Sequence, residues 1–158
     1  MSGIPPVPKI RRATRADIDA LLALEEATFE SDHIGRAQWR RYIGSASATV
    51  FVSGAHGRAD AAAVVFYRRN ARAARLYSLA VGTHARGTGL GGALLAAAEN
   101  DARARGCTAM RLEVRADNAS AIALYERRGY TRVAPLPAFY EDGADGWRYT
   151  KELTPVTP

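Results

Sequence analysis

A chain of 158 residues, 47% of them hydrophobic and 24% charged, has the size and composition of one globular domain, which excludes a wholly disordered chain and a pair of full domains. Because no apolar run approaches the roughly 18 residues that cross a bilayer, and the first residues lack a signal-peptide core, we expect a soluble cytoplasmic protein. The net charge of +6 suits a polyanionic partner, and the single cysteine, Cys107, excludes an intrachain disulfide and a cysteine-rich zinc site.

Helical and strand patterns follow one another along the chain. Residues 1–8 contain three prolines and are predicted to form a flexible tail, and residues 9–158 a single domain. Apolar residues at helical spacing predict helices over 17–29, 38–43, 91–105 and 120–128. Runs rich in β-branched and alternating apolar residues predict strands over 9–13, 49–53, 61–67, 73–81, 108–116, 130–134 and 148–153.

The connections between these elements predict the topology. Polar turns join the second, third and fourth strands, which is typical of an antiparallel meander. Residues 75–81, 91–105 and 109–116 form a strand–helix–strand unit, whose two strands should lie parallel with a right-handed crossover. The predicted class is therefore a mixed α/β (α+β) domain with a partly antiparallel sheet.

A glycine-rich loop, GTHARGTGLGG at residues 82–92, connects the fourth strand to the next helix. Five of its eleven residues are glycine. At a helix N-terminus, free backbone N–H groups and the positive end of the helix dipole favour a phosphate, and glycine allows close approach. The alternative is a flexible strand–helix connection without a ligand.

Three phosphate-binding patterns compete for this loop. A Walker loop ends in Gly-Lys-Ser/Thr, and we reject it because no lysine lies nearby. Gly87, Gly89 and Gly92 match the dinucleotide pattern G-x-G-x-x-G, with Glu113 about 20 residues later. That pattern, however, needs a strand running almost straight into the first glycine, and the 45 residues after Glu113 are too few for the rest of a doubly wound sheet. The third pattern, R-x-x-G-x-G at residues 86–91, fits the loop as it stands.

The R-x-x-G-x-G loop resembles the pyrophosphate loop, Q/R-x-x-G-x-G/A, of the GNAT-type N-acetyltransferase superfamily. LYSLAV before the loop, GALLAAAE after it and LEVRADNASAIALYERRGY at 112–130 follow the order and spacing of that family. The last stretch is most similar to the ribosomal-protein-alanine N-acetyltransferase branch. The resemblance implies a single GNAT-like domain that moves an acetyl group from acetyl-CoA to a primary amine by direct attack in a ternary complex.

Two residues would carry that chemistry. Glu113 lies mid-strand among apolar neighbours, where burial raises the pKa of a carboxyl group towards that of a useful base, and the resemblance implies that it draws a proton from the ammonium. The alternative is that Glu113 pairs with Arg111, Arg115 or a charge on a neighbouring strand. The resemblance makes Tyr125 the general acid, since a phenol keeps its proton at pH 7 and can give it to a thiolate. The alternative for Tyr125 is core packing beside Ile122.

The resemblance also implies which residues bind acetyl-CoA. Arg86 and the glycine backbone would hold the pyrophosphate, and backbone groups of the preceding strand would bind the thioester carbonyl. Asn118 would contact the cofactor, although an N-cap role alone explains it. The implied residues are Leu79, Ala80, Val81, Arg86, Gly87, Thr88, Gly89, Leu90, Gly91, Gly92 and Asn118.

We expect no metal site. The three histidines, His33, His56 and His84, lack metal-ligand spacing and are predicted to lie at the surface. Cys107 lies between a helix end and a strand, which favours a buried, inert thiol over a nucleophile.

The acyl acceptor stays open. Residues 25–42 depart from the Pro-Trp-Ser-type pattern of the ribosomal enzymes, whereas residues 139–143, FYEDG, resemble an aromatic-then-acidic stretch of that branch. Four acidic residues would suit a cationic amine or a basic peptide, or would simply be solvated: Glu30, Asp32, Glu141 and Asp142.

The partners implied are acetyl-CoA and an amine acceptor, which is a protein N-terminus, a peptide or a small amine; a homodimer is left open, and no membrane partner is expected. One rival function is an acyl-CoA-binding sensor or regulator without catalysis. The other is a basic nucleic-acid-binding module, which we do not expect because no zinc pattern, RNA-binding aromatic signature or helix-turn-helix supports it. Its arginines would be Arg11, Arg12, Arg15, Arg68, Arg69, Arg72 and Arg75.

Overall fold

The computed structural model describes residues 9–55 and 57–154. These residues form one mixed sheet of seven strands and four α-helices. The strands are β1 (Ile10–Arg12), β2 (Ala48–Ser53), β3 (Ala61–Phe66), β4 (Ala73–Val81), β5 (Ala109–Arg115), β6 (Thr131–Leu136) and β7 (Gly146–Glu152). The helices are α1 (Ile18–Thr28), α2 (Arg36–Gly44), α3 (Leu90–Ala104) and α4 (Ala119–Arg127). None of these helices is long and apolar enough to cross a membrane.

The predicted elements all form, and β4 has the predicted bounds residue for residue. The strand order is β1-β2-β3-β4-β5-β7-β6. Strands β1 to β4 are antiparallel, and β4 and β5 are parallel around α3, which confirms the predicted meander, strand–helix–strand unit and fold class. The last hairpin adds β7 next to β5 and leaves β6 at the edge. The tail predicted over residues 1–8 lies outside the described residues.

Each face of the sheet carries its own core. Leu94 of α3 and Tyr125 of α4 pack on one face, and Leu21 of α1 and Trp39 of α2 pack on the other. Side chains alternate along a strand, so the buried even-numbered residues of β5 face α3 and α4, and Glu113 faces the α1–α2 side.

Strands β4 and β5 separate partway along their length. Their ladder runs from Ala73–Ala109 to Leu76–Leu112, and in the described structure the rest of β4 has ladder partners only on β3. The register against β3 shifts beyond Leu76, which leaves Tyr77 as an extra residue, and such a bulge bends its strand. A cleft therefore opens between the C-terminal ends of the two strands, next to the N-terminus of α3.

Candidate active site

The glycine loop presents bare backbone at the start of α3. Gly87 has φ 79° and Gly89, the N-cap of α3, has φ 86°, a left-handed conformation that side chains disfavour. A Cβ at either position would meet no atom within 4 Å, so the space above the backbone is open. Residues 86–89 are exposed, as a phosphate-binding loop requires.

The last three residues of the predicted loop face the protein instead. Leu90 is buried in the core between the sheet and α3. A Cβ on Gly91 would lie 3.1 Å from Leu124 Cδ2, and one on Gly92 would lie 2.0 Å from Arg128 Nη2. These two glycines therefore let α4 pack closely on α3, and a cofactor role for residues 90–92 stays a prediction that concerns their backbone alone.

The strand before the loop lines the cleft. Leu79, Ala80 and Val81 pair with Ala63, Ala62 and Ala61 of β3, and their other backbone edge faces the gap towards β5. Backbone groups without a strand partner are available to a ligand. The predicted contact of these residues with a thioester carbonyl fits this position and stays a prediction.

Glu113 is the first residue of β5 beyond the end of the β4–β5 ladder. Its side chain is only 6% exposed and accepts a hydrogen bond from Arg75 Nε at 3.1 Å, while Arg148 Nη2 lies 3.7 Å from its other oxygen. This confirms the alternative of an ion pair with neighbouring strands, although Arg115 pairs with Asp142 instead, at 2.7 Å. The role of Glu113 as a base stays a prediction.

Tyr125 is buried in the core between α4 and the sheet, as the packing alternative predicts. Its ring centroid lies 5.8 Å from that of Tyr130. Burial, and to a lesser extent nearby Tyr140, raises the pKa of the Tyr125 phenol, so it stays protonated at neutral pH. Its hydroxyl makes no hydrogen bond to any described residue, which leaves the proton available for the predicted acid role.

Asn118 is the N-cap of α4. Its side-chain oxygen accepts the backbone N–H of Ala121 at 3.2 Å, which confirms the capping role. A contact of Asn118 with a cofactor stays a prediction.

One buried carboxylate on the α1–α2 side of the sheet, Glu25 of α1, was not predicted from the sequence. It is 3% exposed, and it accepts the backbone N–H of Ile34 and the hydroxyl of Ser78, each at 3.4 Å. Burial raises the pKa of Glu25 above its usual value. The available signal was its spacing four residues after Leu21, on the apolar face of the helix. Glu25 thereby ties the α1–α2 connection to β4 beside the cleft.

Tyr140 belongs to the FYEDG segment, and its side chain is half-buried near Glu113. Burial, and secondarily the charge of Glu113, raises the pKa of Tyr140 to about 12. Of the four acidic residues considered for a cationic acceptor, Asp142 is paired with Arg115, and Glu30, Asp32 and Glu141 are exposed.

The remaining candidates lie as predicted where the structure describes them. His33 and His84 are exposed, and His56 lies outside the described residues. Cys107 is buried, and burial raises the pKa of its thiol. Within residues 9–55 and 57–154, no cluster of three histidine, cysteine or acidic side chains is arranged to hold a metal ion.

Comparison with known proteins decides the family. The model of the acetyltransferase (GNAT) family matches residues 18–130, well over half of the chain. The chain belongs to the GNAT acetyltransferase family. This confirms the predicted family and enzyme class, the N-acetyltransferases.

Two solved structures and one curated relative illustrate the similarity. The ribosomal-protein-S18-alanine N-acetyltransferase of Escherichia coli is 25% identical, with a TM-score of 0.81 over 96% of this chain and 97% of that one. The NatC complex bound to Gag peptide and CoA has a chain of the same fold, 21% identical, with a TM-score of 0.79 over 92% of this chain and 98% of that one. An uncharacterized N-acetyltransferase of Methanocaldococcus jannaschii is 44% identical over 71 residues, which span 44% of this chain and 46% of that protein.

Proposed function

We propose that this GNAT domain transfers the acetyl group of acetyl-CoA to a primary amine by direct attack in a ternary complex. One observation carries the proposal: the glycine loop at the N-terminus of α3 adjoins the cleft where β4 and β5 separate, and Glu113 is the first residue beyond that separation. The acceptor is a protein N-terminus, a peptide or a small amine.

The residues present fit the donor. Arg86 and the exposed backbone of residues 86–89 match the charge and close approach that a pyrophosphate needs. The free backbone edge of residues 79–81 supports an interaction with the thioester carbonyl, as does their place on the cleft. When bound, acetyl-CoA supplies the activated acetyl group.

Two protons must move during the transfer. The carbon–nitrogen bond forms as the carbon–sulfur bond breaks; Glu113 accepts a proton from the attacking amine, and Tyr125 gives its phenolic proton to the departing sulfur. Arg75 and Arg148 hold the Glu113 carboxylate in place from two neighbouring strands. Because burial raises the pKa of Tyr125, its phenol is protonated at neutral pH.

A sensor that binds an acyl-CoA without transferring its acyl group is the second candidate. The observation in its favour is the double ion pair of Glu113, because a carboxylate engaged by two guanidinium groups suits a structural role.

A panel of small amines and peptide N-termini, incubated with acetyl-CoA and read by thiol release, tests the proposal. Transfer predicts thiol release that depends on the amine and matches the acetylated product. CoA binding by calorimetry without thiol release from any acceptor would favour the sensor, and absence of CoA binding would contradict both candidates.

A further inference from the structure

A basic pocket lies on the same face of the sheet as Glu113, next to the β4–β5 ladder. Its volume is about 180 Å³, and its lining includes Arg68, Arg75, Arg111 and Phe66. No acidic residue of the described structure lines it. Three arginines therefore line one concavity.

The charges in this pocket are largely uncompensated. The side chains of Arg68 and Arg111 are exposed and form no ion pair or hydrogen bond within the described part of the chain. Arg75 donates a hydrogen bond from its Nε to Glu113, and its two terminal nitrogens form no hydrogen bond with any described residue. Guanidinium nitrogens that no protein carboxylate engages are available to an anion in the pocket. The planar fork of a guanidinium matches a carboxylate or a phosphate in a bidentate manner.

The pocket is joined to Glu113 by two links. Arg111 and Glu113 lie two residues apart on one strand and face the same side, a separation of about 7 Å along β5. Arg75 bonds Glu113 at 3.1 Å and also lines the pocket. An acceptor whose amine reaches Glu113 therefore has room for a second group beside these arginines.

We infer that this pocket binds an anionic group of the acceptor, a carboxylate or a phosphate. The preferred substrates are then amines that also carry such an anionic group. The inference rests on the proposed function, because it assigns the specificity of that same site. The small, concave shape suits a small anionic group better than a polymer backbone, which binds along extended basic surfaces.

Direct binding tests the pocket without requiring turnover. The full chain, saturated with CoA to occupy the glycine loop, is titrated with glutarate and, separately, with neutral glutaramide, and amide and arginine side-chain NMR signals are followed. Glutarate should shift signals of Arg68, Arg75 and Arg111, and glutaramide should not. Arg111→Gln and Arg68→Gln should each weaken glutarate binding about two- to fivefold, the effect of losing one exposed charged contact. Arg69→Gln, an equal charge change in the same β3–β4 turn but outside the pocket, should leave binding unchanged.

Three outcomes would overturn the inference. One is equal binding of glutarate and glutaramide, and another is an equal loss in Arg69→Gln. The third is tight binding of single-stranded RNA at the same arginines without any response to glutarate, which would assign the surface to nucleic acid.

Turnover then separates this inference from the proposed function. Acceptors are compared in pairs that differ only in a carboxylate and its amide, such as peptides with Glu or Gln after the N-terminal residue. We expect kcat/KM to favour the acid about tenfold, the preference to disappear in Arg111→Gln, and Arg69→Gln to retain it. Transfer at equal rates to both members would refute only the acidic specificity. If no acceptor reacts at all, the proposed function fails, and the glutarate titration still decides the pocket.

Discussion

Two neighbouring buried tyrosines, Tyr125 and Tyr130, separate a catalytic role from a structural one. The Tyr125 hydroxyl has no hydrogen-bond partner among the described residues, so Tyr125→Phe removes an oxygen that no protein group uses. The Tyr130 hydroxyl donates to Glu99 at 2.9 Å, and Glu99 is itself buried. The same chemical change therefore removes nothing from the fold at one site and a charged hydrogen bond at the other.

The magnitudes follow from this difference. A hydrogen bond to a charged group contributes about 1.5–3 kcal/mol to the free energy of unfolding. In a domain of this size 1 kcal/mol shifts Tm by about 2–4 °C, so Tyr130→Phe should lower Tm by roughly 3–12 °C and leave kcat near the wild-type value. Tyr125→Phe should leave Tm nearly unchanged and lower kcat about 10²–10⁴-fold, the range for one positioned acid. Its affinity for acetyl-CoA should stay close to that of the wild type.

Thermal melts, thiol-release kinetics and acetyl-CoA calorimetry on the wild type and both variants check these values. Near-full kcat in Tyr125→Phe would reduce Tyr125 to a packing residue. An equal loss of kcat in both variants would show that the core as a whole, and not one hydroxyl, supports turnover.

Two further predictions concern the glycine loop and Glu25. Gly89→Glu should abolish CoA binding in calorimetry. Gly106, at the other end of α3, has φ 85° against 86° for Gly89 and equally open space around it, so Gly106→Glu is the matched control and should still bind CoA. CoA binding by Gly89→Glu would contradict the role of the loop. Burial raises the folded-state pKa of Glu25, so its contribution to stability is complete below the unfolded pKa and is lost as the pH rises through the folded pKa. In thermal melts between about pH 4 and pH 8, the Tm of Glu25→Gln should therefore increase relative to that of the wild type as the pH rises. A difference in Tm that does not change with pH would contradict the raised pKa of Glu25.

Local patterns predicted the scaffold well because each depends on nearby residues. β4 is a β-rich run bounded by a polar turn and a glycine, so its ends at Ala73 and Val81 were visible in the sequence. The glycine loop before α3 was predicted from its glycines, and the positive φ angles of Gly87 and Gly89 give the physical reason for two of them.

The environment of Glu113 could not be predicted in the same way. Arg75 precedes Glu113 by 38 residues. Arg148 reaches Glu113 because β7, and not β6, is the strand next to β5 in the sheet. That strand order depends on long-range packing, for which no local spacing is diagnostic. The burial of Glu25 was partly visible in its helical spacing, but its bond to Ser78 depends on how α1 lies on the sheet.

In the proposed reaction, Glu113 assists direct attack by an amine on the thioester. Rapid-quench single-turnover transfer from bound acetyl-CoA, measured against pH for the wild type and Glu113→Gln, tests it most directly. We expect the variant to be slowest relative to the wild type at low pH, where the amine is mainly ammonium, and the difference in rate to shrink as the pH nears the pKa of the amine. A rate ratio that is independent of pH, or equal rates for the two proteins, would contradict it.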